Sequence, residues 1–232
     1  MNCLILAGGL GTRLQAAVPN LPKCLAPVQG RPFLYWMIQM LHRKGIQKFT
    51  LSLGYQSEKI IAAVETFPSI WNIRLAVEPK PLGTGGAAMF ALSSTALYDD
   101  FLLCNGDTWL DADISEMLTP LKSELGEEVR IGAVCVANVA RYGGITTNGT
   151  RLASFTEKGA KGPGWINAGY YFLSPKIFKK YETGAAFSLE QTVLPRLLSD
   201  EKIFVHKFDG KFIDIGIPDD YYKFCELALH DK

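Results

Sequence analysis

Near its start the chain reads Leu4-Ile5-Leu6-Ala7-Gly8-Gly9-Leu10-Gly11-Thr12-Arg13-Leu14, and Pro22-Lys23 follow shortly after. The apolar run at the beginning predicts a buried parallel strand, because such strands lack a polar face. The run stops at Gly8-Gly9, where the absent side chains let backbone N–H groups approach a ligand closely. Arg13 and Lys23 add a planar cation and a mobile cation. Glycines and two cations after a first strand suit a polyphosphate.

Two common phosphate-binding motifs do not fit this loop. A dinucleotide-binding fingerprint needs Gly-x-Gly-x-x-Gly, whereas the order here is Gly8-Gly9-Leu10-Gly11-Thr12-Arg13. A P-loop needs Gly-Lys-Ser/Thr after its glycines, and none follows. From the residues alone, a phosphate-binding loop and a plain structural turn both remain open.

Composition limits the class of protein. The chain has 232 residues, is 48% hydrophobic and carries a formal net charge of +1, which fits one α/β domain over residues 1–232 and gives no case for binding nucleic acid. No apolar run is long enough for a membrane span, and the start lacks the features of a signal peptide. Five scattered cysteines, none in Cys-x-x-Cys spacing, favour reduced thiols in a cytoplasm and argue against zinc.

The next segments alternate between helical and strand patterns. Helices are predicted at 33–44 and 56–67, and strands at 49–53 and 72–77. This alternation predicts a parallel sheet with right-handed crossovers. For the whole chain the expected fold is a Rossmann-like α/β domain with a mixed, mostly parallel sheet flanked by helices. The apolar stripe of the first helix is interpreted as core or subunit contact, so a homo-oligomer stays open.

A second glycine-rich loop follows the third strand and reads Glu78-Pro79-Lys80-Pro81-Leu82-Gly83-Thr84-Gly85-Gly86-Ala87. Ligands of parallel α/β sheets bind at the carboxyl ends of the strands, so this loop should face the first one. A turn alone would explain the glycines, but not their position at a second junction between a strand and a helix.

The fourth predicted strand, 101–104, delivers Asn105-Gly106-Asp107 at its carboxyl end. The commonest purely structural role for Asp at such a position is to cap a helix, but Asp111 and Asp113 lie closer to a helix predicted at 113–125. Asp107 is therefore interpreted as a Mg²⁺ ligand, since Mg²⁺ prefers one or two carboxylates together with substrate phosphates.

The second half departs from simple alternation. Asn148-Gly149 predicts a hairpin with a type I′ turn, and the antiparallel strands around it are expected to form a small lid over the crevice. Ser188 is expected to cap a helix running to residue 198, and Asp209-Gly210 to join two strands as a hairpin. Asp214 then precedes Pro218, which should open a closing helix to about residue 230. Asp214 is either a turn residue or a partner of Asp107 on the same rim.

Several of these motifs together resemble the sugar-1-phosphate nucleotidylyltransferases. The likeness rests on residues 6–14 with Pro22-Lys23, on Asn105-Gly106-Asp107-Thr108, and on residues 212–218. Within that family the chain is similar to the D-glycero-D-manno-heptose 1-phosphate guanylyltransferases. The resemblance implies Mg²⁺-dependent transfer of a nucleotidyl group from GTP to a heptose 1-phosphate, giving GDP-heptose for surface polysaccharides. Residues 1–135 would form the nucleotide-binding half and 136–232 the sugar-phosphate-binding half.

The resemblance also implies roles for single residues. Arg13 would hold the β- and γ-phosphates, Lys23 would neutralise the α-phosphate, and Asp107 and Asp214 would bind Mg²⁺. The implied nucleotide-binding residues are Leu6, Ala7, Gly8, Gly9, Gly11, Thr12, Arg13, Lys23, Glu78, Gly83, Thr84, Asn105 and Asp107. The implied sugar-phosphate-binding residues are Gly144, Glu157, Lys158, Asn167 and Asp214.

Some interpretations stay open at this point. Read alone, Glu157-Lys158 is a solvated surface pair. Gly85 stands where many relatives have Ala, and this difference is expected to loosen the second loop. The same reaction on mannose or another hexose 1-phosphate, with GTP, UTP or CTP, is an alternative. A non-catalytic nucleotide-sugar sensor is another, although it would not need Arg13, Lys23 and both aspartates.

Overall fold

The computed structural model describes residues 1–9, 11–156 and 159–229. Its main feature is a nine-stranded sheet in the order β5-β4-β1-β6-β11-β8-β12-β10-β9. The strands are β1 (Asn2–Leu6), β2 (Pro27–Val28), β3 (Arg31–Pro32), β4 (Lys48–Leu53), β5 (Ile73–Val77), β6 (Phe101–Asn105), β7 (Thr108–Asp111), β8 (Val129–Val136), β9 (Ile145–Asn148), β10 (Arg151–Phe155), β11 (Gly164–Leu173), β12 (Ile203–Phe208) and β13 (Lys211–Asp214). The α-helices are α1 (Phe33–Arg43), α2 (Ser57–Val64), α3 (Gly83–Thr95), α4 (Leu194–Ser199) and α5 (Pro218–Leu227).

The first strand lies inside the sheet, parallel to β4 on one side and to β6 on the other. Only β11 and β10 run against the other strands of the sheet, which confirms a mixed, mostly parallel arrangement. Alternate residues of β1 serve two cores, because successive side chains of a strand point to opposite faces. Cys3 and Ile5 pack with α1 and α5, whereas Leu4 packs with α3 and α4.

The helix predicted at 113–125 does not form, and a buried arginine explains why. Arg130 is paired with Glu127 through two hydrogen bonds of 2.7 and 2.8 Å. Its guanidinium also donates to the carbonyls of residues 116, 117, 119 and 120. These carbonyls therefore converge on one cation, and in place of a continuous α-helix the segment has isolated turns and a short 3₁₀ helix, Ser123–Leu125.

Two turn predictions are also corrected. The loop between β9 and β10 is Gly149-Thr150, and only Gly149 has a positive φ, of 58°, as in a type II′ turn rather than type I′. This hairpin continues the main sheet through the pair Arg151–Phe204, so it is not a separate lid. Asp209-Gly210 does not close a hairpin, because β12 pairs with β8 while β13 pairs with β7.

The remaining helices follow the sequence patterns. Ser188 accepts from the Gln191 N–H at 3.1 Å and caps a π-helical turn, Leu189–Val193, which continues into α4. Pro218 stands at the first turn of α5; residue 230, where the closing helix was expected to end, lies outside the described residues. The stripe of α1 is core, since Phe33 and Met37 are fully buried. In the described ranges no helix has both the length and the apolar character to cross a membrane.

Candidate active site

A cavity of about 740 Å³ lies between the two glycine-rich loops, at the carboxyl ends of β1, β4, β5 and β6. The loops meet there as expected from the strand order. The Tyr55 N–H donates to the Gly8 carbonyl at 3.3 Å, and the Glu78 N–H donates to the Leu53 carbonyl at 2.9 Å. The cavity is lined by Leu6, Gly8, Gly9, Arg13, Lys23, Ser52, Gly54, Tyr55, Glu78, Pro79, Lys80, Pro81, Gly83, Thr84, Ala87, Asn105, Asp107 and Glu190.

The first loop depends on glycine at two positions for different reasons. A Cβ on Gly8 would lie 2.8 Å from the Gly54 nitrogen, so the close approach of β1 and β4 beyond their ends requires its absence. Gly11 has a φ of 60°, a region that L side chains rarely adopt. A Cβ there would also lie 3.1 Å from the Lys23 Cβ. The loop therefore folds back tightly over the Lys23 side chain.

Four charged side chains converge at one end of the cavity: Arg13, Lys23 and Asp107 line it, and Asp214 is their neighbour without lining it. Lys23 forms an ion pair with Asp107. A Cβ on Gly216 would lie 2.8 Å from Asp214 Oδ1, 3.2 Å from Asp107 Oδ2 and 3.6 Å from Arg13 Nη2. These three groups are therefore neighbours around the bare backbone of Gly216.

Strand pairing explains how Asp214 reaches Asp107 from 107 residues away. Asp107 is followed by β7, and the antiparallel pairing of β7 with β13 places Asp214 opposite Thr108. The Ile215 N–H then donates to the Asp107 carbonyl at 3.0 Å. The two aspartates come together as expected, but Asp214 arrives through this two-stranded sheet rather than from the rim of the main sheet.

The electrostatics of this cluster suit a divalent cation. Burial raises the pKa of Asp214, and the nearby negative charge of Asp107 raises it further. A cation shared by two carboxylates removes that cost. Among the described residues no group of three or more His, Cys, Asp or Glu side chains could hold a metal ion. Mg²⁺ commonly binds one or two carboxylates and takes its other ligands from substrate phosphates and water. Asp107 and Asp214 are thus a chemically suitable pair for Mg²⁺.

The second glycine-rich loop differs from the charged end of the cavity, because it is shaped by an internal hydrogen bond and by close packing at its glycines. Glu78 Oε2 accepts from the Leu82 N–H at 3.1 Å and so closes the loop on itself. Burial raises the pKa of the Glu78 carboxyl. Gly83 has a φ of 69°. A Cβ on Gly85 would lie 2.5 Å from the ring of Phe187. The expectation that Gly85 loosens this loop is therefore wrong, because a neighbouring ring fills the space.

The residues predicted to bind the sugar phosphate do not line the cavity in the part of the chain that the structure describes. Asn167 Nδ2 donates to the Tyr171 hydroxyl at 2.9 Å, and Asn167 Oδ1 accepts from the Gly169 N–H at 2.9 Å. The Gly144 N–H donates to Thr156 Oγ1 at 2.8 Å. Glu157 and Lys158 lie outside the described residues. The predicted site residues that do not line the cavity are Ala7, Gly11, Thr12, Gly144, Asn167 and Asp214.

Some residues that line the cavity were not predicted from the sequence. Gly54 and Tyr55 follow the end of β4, so the same strand-end rule that selected Asp107 could have found them. Glu190 lies in the segment where the sequence predicts a helix capped by Ser188, and no sequence signal placed it at the cavity. In the structure its carboxylate accepts from Thr84 Oγ1 at 2.6 Å and from the Tyr171 hydroxyl at 3.4 Å. Glu190 therefore connects the second loop with the Asn167 side.

Comparison with known proteins shows the family to which the chain belongs. A model of the Nucleotidyl transferase family matches residues 2–230. The chain is 35% identical over 230 residues to D-glycero-alpha-D-manno-heptose 1-phosphate guanylyltransferase of Aneurinibacillus thermoaerophilus, covering 99% of both chains. It is 31% identical to a putative mannose-1-phosphate guanyltransferase of Sulfolobus acidocaldarius, over 96% of this chain and 62% of that one.

A solved structure has the same fold over nearly the whole chain. HddC from Yersinia pseudotuberculosis, complexed with GMP-PN, superposes with a TM-score of 0.86 at 37% identity, covering 98% of this chain and 99% of that chain. The fold and the site thus define a nucleotide-binding α/β transferase. The chain belongs to the nucleotidyl transferase family and is a nucleotidyltransferase.

Proposed function

We propose that this enzyme transfers GMP from GTP to D-glycero-D-manno-heptose 1-phosphate, with Mg²⁺, giving GDP-heptose and pyrophosphate. The observation that carries the proposal is the convergence of Arg13, Lys23, Asp107 and Asp214 at one end of a cavity between two glycine-rich loops. The full-length similarity to heptose 1-phosphate guanylyltransferases supports the choice of substrates. The product would then be available for surface polysaccharide synthesis.

The reaction needs positioning and charge neutralisation more than a protein nucleophile. An oxygen of the sugar phosphate attacks the α-phosphorus in line, and pyrophosphate leaves. Arg13 holds the β- and γ-phosphates of the leaving group, and Lys23 neutralises charge that grows on the α-phosphate. Mg²⁺ held by Asp107 and Asp214 would supply further positive charge at the phosphates.

A covalent route through the cysteine beside Lys23 is disfavoured. Cys24 is buried, and burial raises the pKa of its thiol to about 12. At neutral pH the side chain is therefore a thiol, and only the thiolate is a good nucleophile. Direct attack by the substrate phosphate is the simpler reading of this site.

Glu78 is proposed to recognise the base of the nucleotide. Its carboxylate lines the cavity and sits beside the Gly83 turn. One of its oxygens is engaged by the Leu82 N–H, which holds the carboxylate in a fixed orientation. A carboxylate so held can accept hydrogen bonds from the N1–H and exocyclic amine of guanine, and not from the corresponding edge of adenine.

The sugar 1-phosphate would bind on the Asn167 side of the cavity. Asn167, Gly144, Glu157 and Lys158 are the proposed contacts, with Asp214 between both substrates. Mannose 1-phosphate is the second candidate sugar, because the chain is 31% identical to a protein named for that substrate.

A substrate matrix tests the proposal. ATP, CTP, GTP and UTP are each paired with heptose, mannose and glucose 1-phosphates, and pyrophosphate release is measured with Mg²⁺. We expect the highest kcat/KM for GTP with the heptose. Faster turnover of mannose 1-phosphate would select the second candidate. Nucleotide binding with no pyrophosphate release from any pair would instead identify a sensor.

A further inference from the structure

A short segment of the second half, residues 185–190, closes over the N-terminus of α3; we call it the strap. Both backbone polar groups of its Phe187 hold the second loop. The Phe187 N–H donates to the Leu82 carbonyl at 2.9 Å. The Phe187 carbonyl accepts from the N–H groups of Gly85 and Gly86, at 3.0 and 3.1 Å.

The side chain of Phe187 reinforces this contact. Its Cδ2 and Cε2 occupy the space of a side chain on Gly85, where a Cβ would lie 2.5 Å from both atoms. The same ring is stacked on Tyr181, with the centroids 4.3 Å apart and the planes 15° from parallel. The Arg196 guanidinium lies over Tyr181, 5.4 Å from its centroid. A stacked column from α4 thus supports the start of α3.

The strap accepts hydrogen bonds from some backbone N–H groups at the start of α3 and leaves others without an acceptor. The first four N–H groups of a helix have no partner within it. In α3, the Phe187 carbonyl takes those of Gly85 and Gly86. No acceptor for the Gly83 and Thr84 N–H groups occurs within residues 1–9, 11–156 and 159–229. Both residues line the cavity, so two neighbouring donors are left for a ligand.

We infer that Phe187 is a positioning residue for nucleotide binding and that Gly85 is matched to it. Phe187 does not itself line the cavity, so it acts through the shape of the second loop. The inference rests on the proposed function, which places the nucleotide against this loop. It predicts that losing the Phe187–Gly85 contact weakens nucleotide binding and leaves binding of the sugar phosphate unchanged.

Three variants test the contact: Phe187→Leu, Gly85→Ala, and both together. We expect KM for GTP to rise about fivefold in Phe187→Leu and about tenfold or more in Gly85→Ala, with kcat and KM for the sugar phosphate changed less than about twofold. The double variant should bind GTP better than Gly85→Ala alone, because the smaller Leu leaves room for the added methyl group. Residues in contact give such non-additive effects.

Phe178→Leu is the matched control. Phe178 is buried and its ring centroid lies 6.4 Å from that of Phe187, but its ring does not fill the space at Gly85. This variant should lower Tm without raising KM for GTP. The inference is overturned if Phe178→Leu raises that KM equally, if both KM values rise together, or if the Phe187 and Gly85 effects simply add.

Calorimetric titration with GTP separates this inference from the proposed function. Turnover by the wild-type enzyme tests the function, whereas differences in GTP affinity between variants test the positioning role. If another triphosphate proves to be the substrate, the same comparison is made with that triphosphate. Variants with unchanged affinity in an active enzyme would overturn the inference alone; a wild-type chain that binds no triphosphate would overturn both.

Discussion

The two glycine-rich loops that border the cavity are built from similar residues but contribute differently to it. The first loop brings Arg13 and Lys23 next to Asp107 and Asp214. The second loop is held by a hydrogen bond that Glu78 accepts from the Leu82 N–H and by the backbone of Phe187, and it presents the backbone N–H groups of Gly83 and Thr84 to the cavity. In the proposed function the first loop therefore serves the reacting phosphates through charge, and the second serves the base through shape and hydrogen bonding.

The largest expected effect concerns the two aspartates at the charged end. Asp107→Asn and Asp214→Asn should each lower kcat by about 10³-fold or more, because each removes half of one cation site. The double variant should be little worse than either single variant, since groups that act as a unit are not additive. Initial rates of pyrophosphate release measure this, with Asp111→Asn, an exposed aspartate of β7, as the control. Losses that multiply, or activity in excess chelator, would contradict a shared Mg²⁺ site.

The second largest effect is expected for Lys23→Ala. It should lower kcat by about two orders of magnitude, since one contact to charge that grows in the transition state contributes ~3 kcal/mol. Circular dichroism should show that the fold survives. Lys80→Ala, in the second loop and on the same cavity, is the matched control and should change kcat less than threefold or so. Equal losses in both variants would remove the proposed difference between the loops.

Glu78→Gln should change selectivity more than rate. Gln keeps an oxygen for the Leu82 N–H but loses the charge, so the preference for GTP over other triphosphates should fall by ~1–3 kcal/mol. The ratio of kcat/KM values for the four triphosphates measures this effect, and Glu65→Gln, exposed after α2, should leave it unaltered. An unchanged ranking in Glu78→Gln would indicate that backbone donors alone read the base.

The smallest effect is on stability. Because burial and the charge of Asp107 raise the folded-state pKa of Asp214, its contribution to stability is full below the ordinary carboxyl pKa and is lost as pH rises through the raised value. Asp214→Asn should therefore raise Tm at pH 7, and the gain should vanish below about pH 4. Thermal unfolding between pH 3.5 and 7.5 (a range set by these pKa values) checks this; Asp219→Asn, which is exposed, should show no such trend. A gain independent of pH would point to packing instead.

The predictable parts of the fold share one property: their signals are local. The apolar run of β1, the stripe of α1 and the Pro218 start of α5 each depend on neighbouring residues, and each is present in the structure. The helix predicted at 113–125 is wrong because of a tertiary contact. Residues 113–125 have a helical pattern, but the buried Arg130 side chain, a few residues further along the chain, binds their carbonyls. The periodicity of the segment does not predict that contact.

The site residues also fall into those that local sequence signals predict and those that they do not. Residues at the ends of parallel strands, such as Gly8, Glu78 and Asp107, could be assigned to one rim from the alternation of strands and helices. Glu190 could not, because its partners Thr84 and Tyr171 lie on other elements. Its neighbours in sequence point only to a helix cap.

The sequence by itself determined a buried first strand, two glycine-rich loops on a common rim, and a set of cations and carboxylates suited to phosphates. Only the tertiary structure decided that β13 pairs with β7 and carries Asp214 to Asp107. It also decided that Phe187 fills the space beside Gly85. Local periodicity determines which face of an element is buried, whereas pairing between distant segments depends on the packing of the whole chain and leaves no periodic signal in either segment.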